Sequence, residues 1–150
     1  ANALGQGMHS LLWDRLREEL GLCYQVYSSY GAYRDHGGLI NICLLDEKNI
    51  DLAKGEIQKT IEGVIKNGIP DKQLNVAKKN EVFTKAKNLQ TSSNFSLLVA
   101  DRYHRLGNKF FDFDKFKSDV ESISNEDIKI CADKYLNKPF KFCQMTNKET

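Results

Sequence analysis

The sequence predicts an α+β fold in which helices pack on one face of an antiparallel sheet. Three observations carry this. Two runs with period-two character, residues 22–33 and 38–45, stand close together and are separated by turn residues. One helical stripe precedes them and several follow. Strands and helices are therefore segregated along the chain, the pattern of helices layered on a sheet.

Leu4, Met8, Leu11, Leu12, Leu16 and Leu20 form one helical stripe over residues 4–20. Gly21 stands where a left-handed C-terminal cap belongs. Arg17 lies off the stripe and shares the other face with Trp13, four residues earlier, so the indole can stack on the guanidinium. Residues 22–33 read as a strand rich in Tyr, Val and Ser, with Leu22, Tyr24, Val26 and Tyr30 on one face. Arg34-Asp35-His36-Gly37 is turn chemistry. Residues 38–45 form the second strand, with Ile40, Ile42 and Leu44 sharing a face, and the pair predicts a long antiparallel hairpin.

A helix follows from Asn49, a capping residue, to Asn67 and Gly68, with the stripe Ile50, Ala53, Ile57, Ile61, Val64 and Ile65. Residues 71–90 form a more polar helix. Its Lys72, Lys78, Lys79, Lys85 and Lys87 are scattered around it with no aromatic row, which suits a solvated or interdomain face better than nucleic acid. Ser92 or Ser93 starts a third helix carrying Phe95, Leu98, Val99 and Leu106 and ending at Gly107. The aromatic run from Phe110 to Phe116 anchors a loop and a short helix on the core. Ser124-Asn125-Glu126-Asp127 resembles a capping box and opens a helix to Leu136. After Pro139, Phe140 to Met145 reads as a last strand.

Three strands under four or five helices make a sheet that looks incomplete, and the chain opens on a helix. Residues 1–150 are therefore expected to be a single partial domain, with about 40–60 residues carrying its first strands placed before Ala1. A net charge of +2 sets up no strong field for nucleic acid or a membrane surface. No apolar run reaches the roughly 18–20 residues of a membrane span. Cys23, Cys43, Cys131 and Cys143 form no C-x-x-C pair and each falls in an apolar pattern. They are expected to be free buried thiols, which favours a reducing compartment, cytoplasmic or an organellar matrix. His9, His36 and His104 are scattered with no i,i+4 pair, so no metal site is expected from this chain alone.

The segment Leu4-Gly5-Gln6-Gly7-Met8-His9-Ser10-Leu11-Leu12-Trp13 resembles the "L-G-G-G-M-S-S-R-L-F" stretch of the pitrilysin/insulinase family of zinc metallopeptidases, which includes the mitochondrial processing peptidases. Leu16-Arg17-Glu18-Glu19-Leu20-Gly21-Leu22-Cys23-Tyr24 is similar to that family's "L-R-E-x-x-G-L-x-Y". The Tyr-rich strand to Tyr33, the Asp35-Gly37-Gly38 turn, and Ile123 to Ile128 with Ala132, Tyr135 and Leu136 extend the likeness over nearly the whole chain. Two positions depart from it. Gln6 replaces a glycine of the triplet, and Leu11 replaces the arginine that follows the serines.

The resemblance implies a fold of two homologous α+β halves closing around an unfolded peptide. One half carries zinc through an inverted H-x-x-E-H motif, and the other has lost the motif and presents an arginine and a tyrosine. No H-x-x-E-H occurs here, so the chain looks like the non-catalytic, usually C-terminal, half. Zinc is then expected only in the partner half, in the same polypeptide or a separate subunit, and this chain alone should be inactive. On this resemblance Tyr24 is expected to supply the oxyanion donor, and Arg17 to bind a backbone carbonyl of the substrate or to hold Tyr24 in place. Without it, a late-helix arginine complements the helix dipole and a strand tyrosine packs. Two rival readings remain: an inactive scaffold subunit of the same fold, and a module that binds an extended peptide at a sheet edge.

Overall fold

A computed structural model describes residues 1–33, 35–107 and 111–146. Arg34 of the expected turn, Phe110 of the aromatic run and the side chain of Leu106 lie outside the described residues. The hairpin forms as expected. β1 (Cys23–Ala32) and β2 (Gly37–Leu45) pair antiparallel, from Cys23 opposite Leu45 to Ala32 opposite Gly37. Helices lie on one side of it: α1 (Asn2–Gly5) and α2 (Leu11–Trp13) touch β1 directly. Behind them run α3 (Ile50–Asn67), α4 (Asp71–Asn88), α5 (Ser92–Leu106), α6 (Phe113–Ser122) and α7 (Asn125–Leu136).

The core sits where the first helices, β1 and α3 converge. Leu12, Leu16 and Ile61 are fully enclosed, with Leu4, Leu22, Val26, Val64, Leu74 and Ala132 around them. Each such side chain contributes about 1.5–3 kcal/mol through burial. One polar contact is enclosed with them. Ser28 is fully buried and donates to Asn41 Oδ1 at 2.6 Å across the hairpin. Gly5 presses on this serine so closely that a Cβ would lie 2.1 Å from its Oγ. Gln6 instead reaches past it and donates from Nε2 to Ser28 O at 3.3 Å.

Several elements differ from expectation. The single helix over 4–20 is two: α1 stops where Gln6 turns extended, and α2 begins only at Leu11. Met8, between them, is exposed. The last six residues of the second piece, Asp14–Glu19, are π-helical and not α-helical. The strand expected over Phe140 to Met145 is absent. Those residues take no regular secondary structure and pair with no strand among the described residues, and Phe140 merely packs on the core cluster. Strand character is local, but a strand also needs an edge to pair with, and no strand among the described residues is paired with this segment.

The thiol expectation also needs correction. All four cysteines are free, but only Cys23 is buried, Cys43 is half-buried, and Cys131 and Cys143 are exposed. Ile40, Ile42 and Leu44 do share a face, opposite Ser29, Tyr27 and Gln25, but it is the face away from the helices. They remain 57%, 37% and 52% exposed. Thr91 caps α5, its Oγ1 accepting from Asn94 N–H, ahead of the serines expected there. The capping box at Ser124 and Asp127 forms as expected.

Candidate functional site

The site residues lie on either side of the passage from α2 to β1. Leu12 and Leu16 fill the core, Trp13 packs half-buried against its margin, and Arg17 is half-buried beside it. The π-helical stretch then closes on Gly21. Leu20 N–H donates to Arg15 O at 3.3 Å, and Leu22 N–H reaches back to Leu16 O at 2.8 Å. Gly21 turns with φ +58°, a left-handed conformation that costs other residues roughly 1–2 kcal/mol.

The chain enters β1 through a register shift between Cys23 and Gln25. The shift leaves Tyr24 unpaired and turns it outward, where it is 79% exposed, while Leu22, Cys23 and Val26 are buried. This corrects the expectation that Tyr24 shares a face with Leu22 and Val26. Simple alternation fails because a bulge inserts one residue. The sequence carried no signal of it: Leu22, Tyr24 and Val26 alternate regularly, and only the burial of Cys23 beside Leu22 reveals the break.

These two irregularities bring the expected pair together. The Arg17 guanidinium lies 4.1 Å from the Trp13 ring centroid and 5.8 Å from that of Tyr24. The stack on Trp13 is the one expected from i,i+4 spacing. Cation–π contacts at exposed positions are worth about 0.5–1 kcal/mol each. Contacts of this kind use none of the five N–H donors of the guanidinium, which stay available for hydrogen bonds. Among the described residues Arg17 makes no ion pair, and the Tyr24 hydroxyl has no hydrogen-bond partner. Trp13 is itself held, its indole N–H donating to Glu18 Oε1 at 2.9 Å. Sequence reasoning missed this bond.

Arg15, two residues before, is used differently. It donates to Glu19 at 2.7 Å and to Glu56 of α3 at 2.8 Å, and Lys59 donates to Glu56 from the other side at 2.8 Å. Glu56 is only 5% exposed. The hydrogen bonds from Lys59 and then from Arg15 hold its carboxyl below the ordinary value. This network fastens the π-helical stretch to α3. The described residues contain no group of three or more His, Cys, Asp or Glu side chains placed to hold a metal ion.

Residues 1–81, which end within α4 and include the whole site, match the family model of the peptidase M16 inactive domain. The chain belongs to the M16 peptidase family. This is the zinc peptidase family of the resemblance, and the matched part is its inactive half. An uncharacterised zinc protease of Mycobacterium tuberculosis is 27% identical, covering 92% of this chain and 31% of the relative. The uncharacterised zinc protease YmxG of Bacillus subtilis is 34% identical over 77 residues, 51% of this chain and 19% of that protein. The fold agrees with an M16 inactive domain from Pseudomonas fluorescens, with a TM-score of 0.74 and 22% identity over 91% of this chain and 32% of that one. A protease from Helicobacter pylori gives a TM-score of 0.76 at 22% identity, over 90% of this chain and 33% of that one. The M16 inactive domain described here thus spans between about a fifth and a third of the length of these relatives.

Proposed function

We propose that this chain is the later part of the non-catalytic half of a zinc metalloendopeptidase, where it binds an unfolded peptide and completes the active site with Arg17 and Tyr24. The observation that carries the reading is the placing of Arg17 over the rings of Trp13 and Tyr24, with no ion pair on the guanidinium and no hydrogen bond to the exposed Tyr24 hydroxyl among the described residues. The first strands of the half, and a partner half with the ligands for zinc, would be supplied by the rest of the protein.

Zinc in the partner half would polarise the scissile carbonyl and activate a water for attack. The Tyr24 hydroxyl donates to the oxyanion that develops. Removing one such donor costs on the order of 3 kcal/mol, or about 100-fold in turnover. Arg17 binds a backbone carbonyl of the peptide through its forked N–H donors, from its place over the two rings. Tyr24 can serve because the bulge points it away from the core, and Arg17 because no carboxylate among the described residues consumes its donors.

The test is to purify the full-length protein, measure its zinc content, and assay cleavage of an unfolded peptide with and without a chelator. Zinc-dependent cleavage that falls at least tenfold in Arg17→Ala supports the reading. An intact protein with neither zinc nor cleavage supports an inactive scaffold instead. Zinc-dependent cleavage by these 150 residues alone would contradict the division of labour.

A further inference from the structure

A guanidinium directs its donors only if its plane is fixed, and a lone aromatic ring that can turn does not fix it. We infer that Trp13 and Glu18 are positioning residues for Arg17: Glu18 anchors the indole, and the anchored indole sets the plane in which Arg17 offers its N–H groups. The inference rests on the reading of Arg17 as a donor to the peptide.

Three geometric facts support it. The bond from Trp13 Nε1 to Glu18 Oε1, at 2.9 Å, spans five residues. In an α-helix, residues five apart point about 140° away from each other. Over Asp14–Glu19 the helix is π, which brings such residues to one side. The unusual backbone therefore has a local product, the 13–18 bond. The second fact concerns the neighbouring acids. Glu19 is taken by Arg15 at 2.7 Å, while Glu18 makes no ion pair with Arg17 among the described residues. A carboxylate bound directly to Arg17 would consume the donors the peptide needs. The third fact is the division of surfaces. The carboxylate accepts from the N–H edge of the indole, the guanidinium lies over the face of the indole at 4.1 Å, and it makes no ion pair among the described residues.

The experiment is steady-state peptide cleavage by the full-length protein carrying substitutions at positions 13, 17 and 18. Glu18→Ala and Trp13→Phe each remove the 13–18 bond, and each is expected to raise KM about fivefold with kcat within twofold, the size of one lost hydrogen bond acting on substrate binding. The double variant should be no worse than either single one, because the two changes delete the same bond. Glu18→Gln keeps an acceptor oxygen and should recover most of the loss. Additive losses, or a Glu18→Gln as impaired as Glu18→Ala, would overturn the inference. If Arg17→Ala lowers cleavage while Glu18→Ala does not, the positioning role alone fails. If Arg17→Ala has no effect, the reading of Arg17 fails and takes this inference with it.

Discussion

Arg15 and Arg17 sit two positions apart on one short helical stretch, and their surroundings give them opposite tasks. Arg15 spends its donors on Glu19 and the buried Glu56, so it fastens the stretch to α3. Arg17 is gripped by ring faces and keeps its donors. The substitutions should separate accordingly. Arg15→Ala is expected to lower the urea midpoint of unfolding clearly, since it strips one of two partners from Glu56. Arg17→Ala should cost only about 1–2 kcal/mol, the loss of its two cation–π contacts. Equal losses in a chemical denaturation series would show that Arg17 is a structural residue after all. The Arg17 stack on Trp13 was legible from i,i+4 spacing. Its anchoring by Glu18 was not, because that bond depends on a π-helical register that no residue type announces.

At the scale of elements, two irregularities place the site: the π-helical stretch that ends at Gly21 and the bulge that turns Tyr24 outward. The hairpin itself was legible, since alternation and turn residues are local signals. The break in the first helix was not, because it depends on a contact 23 positions away in the chain, Gly5 against Ser28. That contact makes a prediction. Gly5→Ala should destabilise the fold by about 1–3 kcal/mol, as overpacking in a closed contact does, measured by thermal or urea unfolding. A neutral effect would mean that α1 yields easily. A second prediction concerns the joint between α3 and α7. Asn125 accepts from Ile69 N–H at 2.9 Å and donates to Ile69 O at 2.8 Å, clamping the loop between α3 and α4. Asn125→Ala should cost about 1–3 kcal/mol by leaving both backbone groups without that partner. The sequence marked Asn125 only as part of a cap and did not suggest its second role.

At the scale of the whole molecule, α+β layering was legible from the order of the elements, and the two-stranded sheet with helices on one side agrees with it. The last strand was not, since residues 140–145 have strand chemistry but no neighbour to pair with among the described residues. Stability at this scale should depend on acid. Glu56 and Asp127 both have carboxyls held below their ordinary values, by Lys59 and Arg15 in the first case and by Ser124 in the second. A depressed folded value gives stability that is present above the unfolded pKa and is lost as pH falls through the folded one. The urea midpoint should therefore be level above the ordinary glutamate value of 4.5 and drop below it, less steeply in Glu56→Gln. Thiol reactivity should follow exposure. Burial, with Cys23 adjacent, pushes the Cys43 thiol up to about 12, so alkylation near neutral pH should modify Cys131 and Cys143 well before Cys43.

The central claim is that an exposed phenol on a bulged strand works at a reaction centre whose metal lies in another half. Tyr24→Phe removes one oxygen from a side chain that is 79% exposed and has no hydrogen-bond partner among the described residues, so folding should be untouched. In the full-length protein, kcat for an unfolded peptide should fall about 100-fold while the thermal midpoint stays unchanged. Wild-type turnover in a correctly folded, zinc-loaded Tyr24→Phe protein would contradict the account.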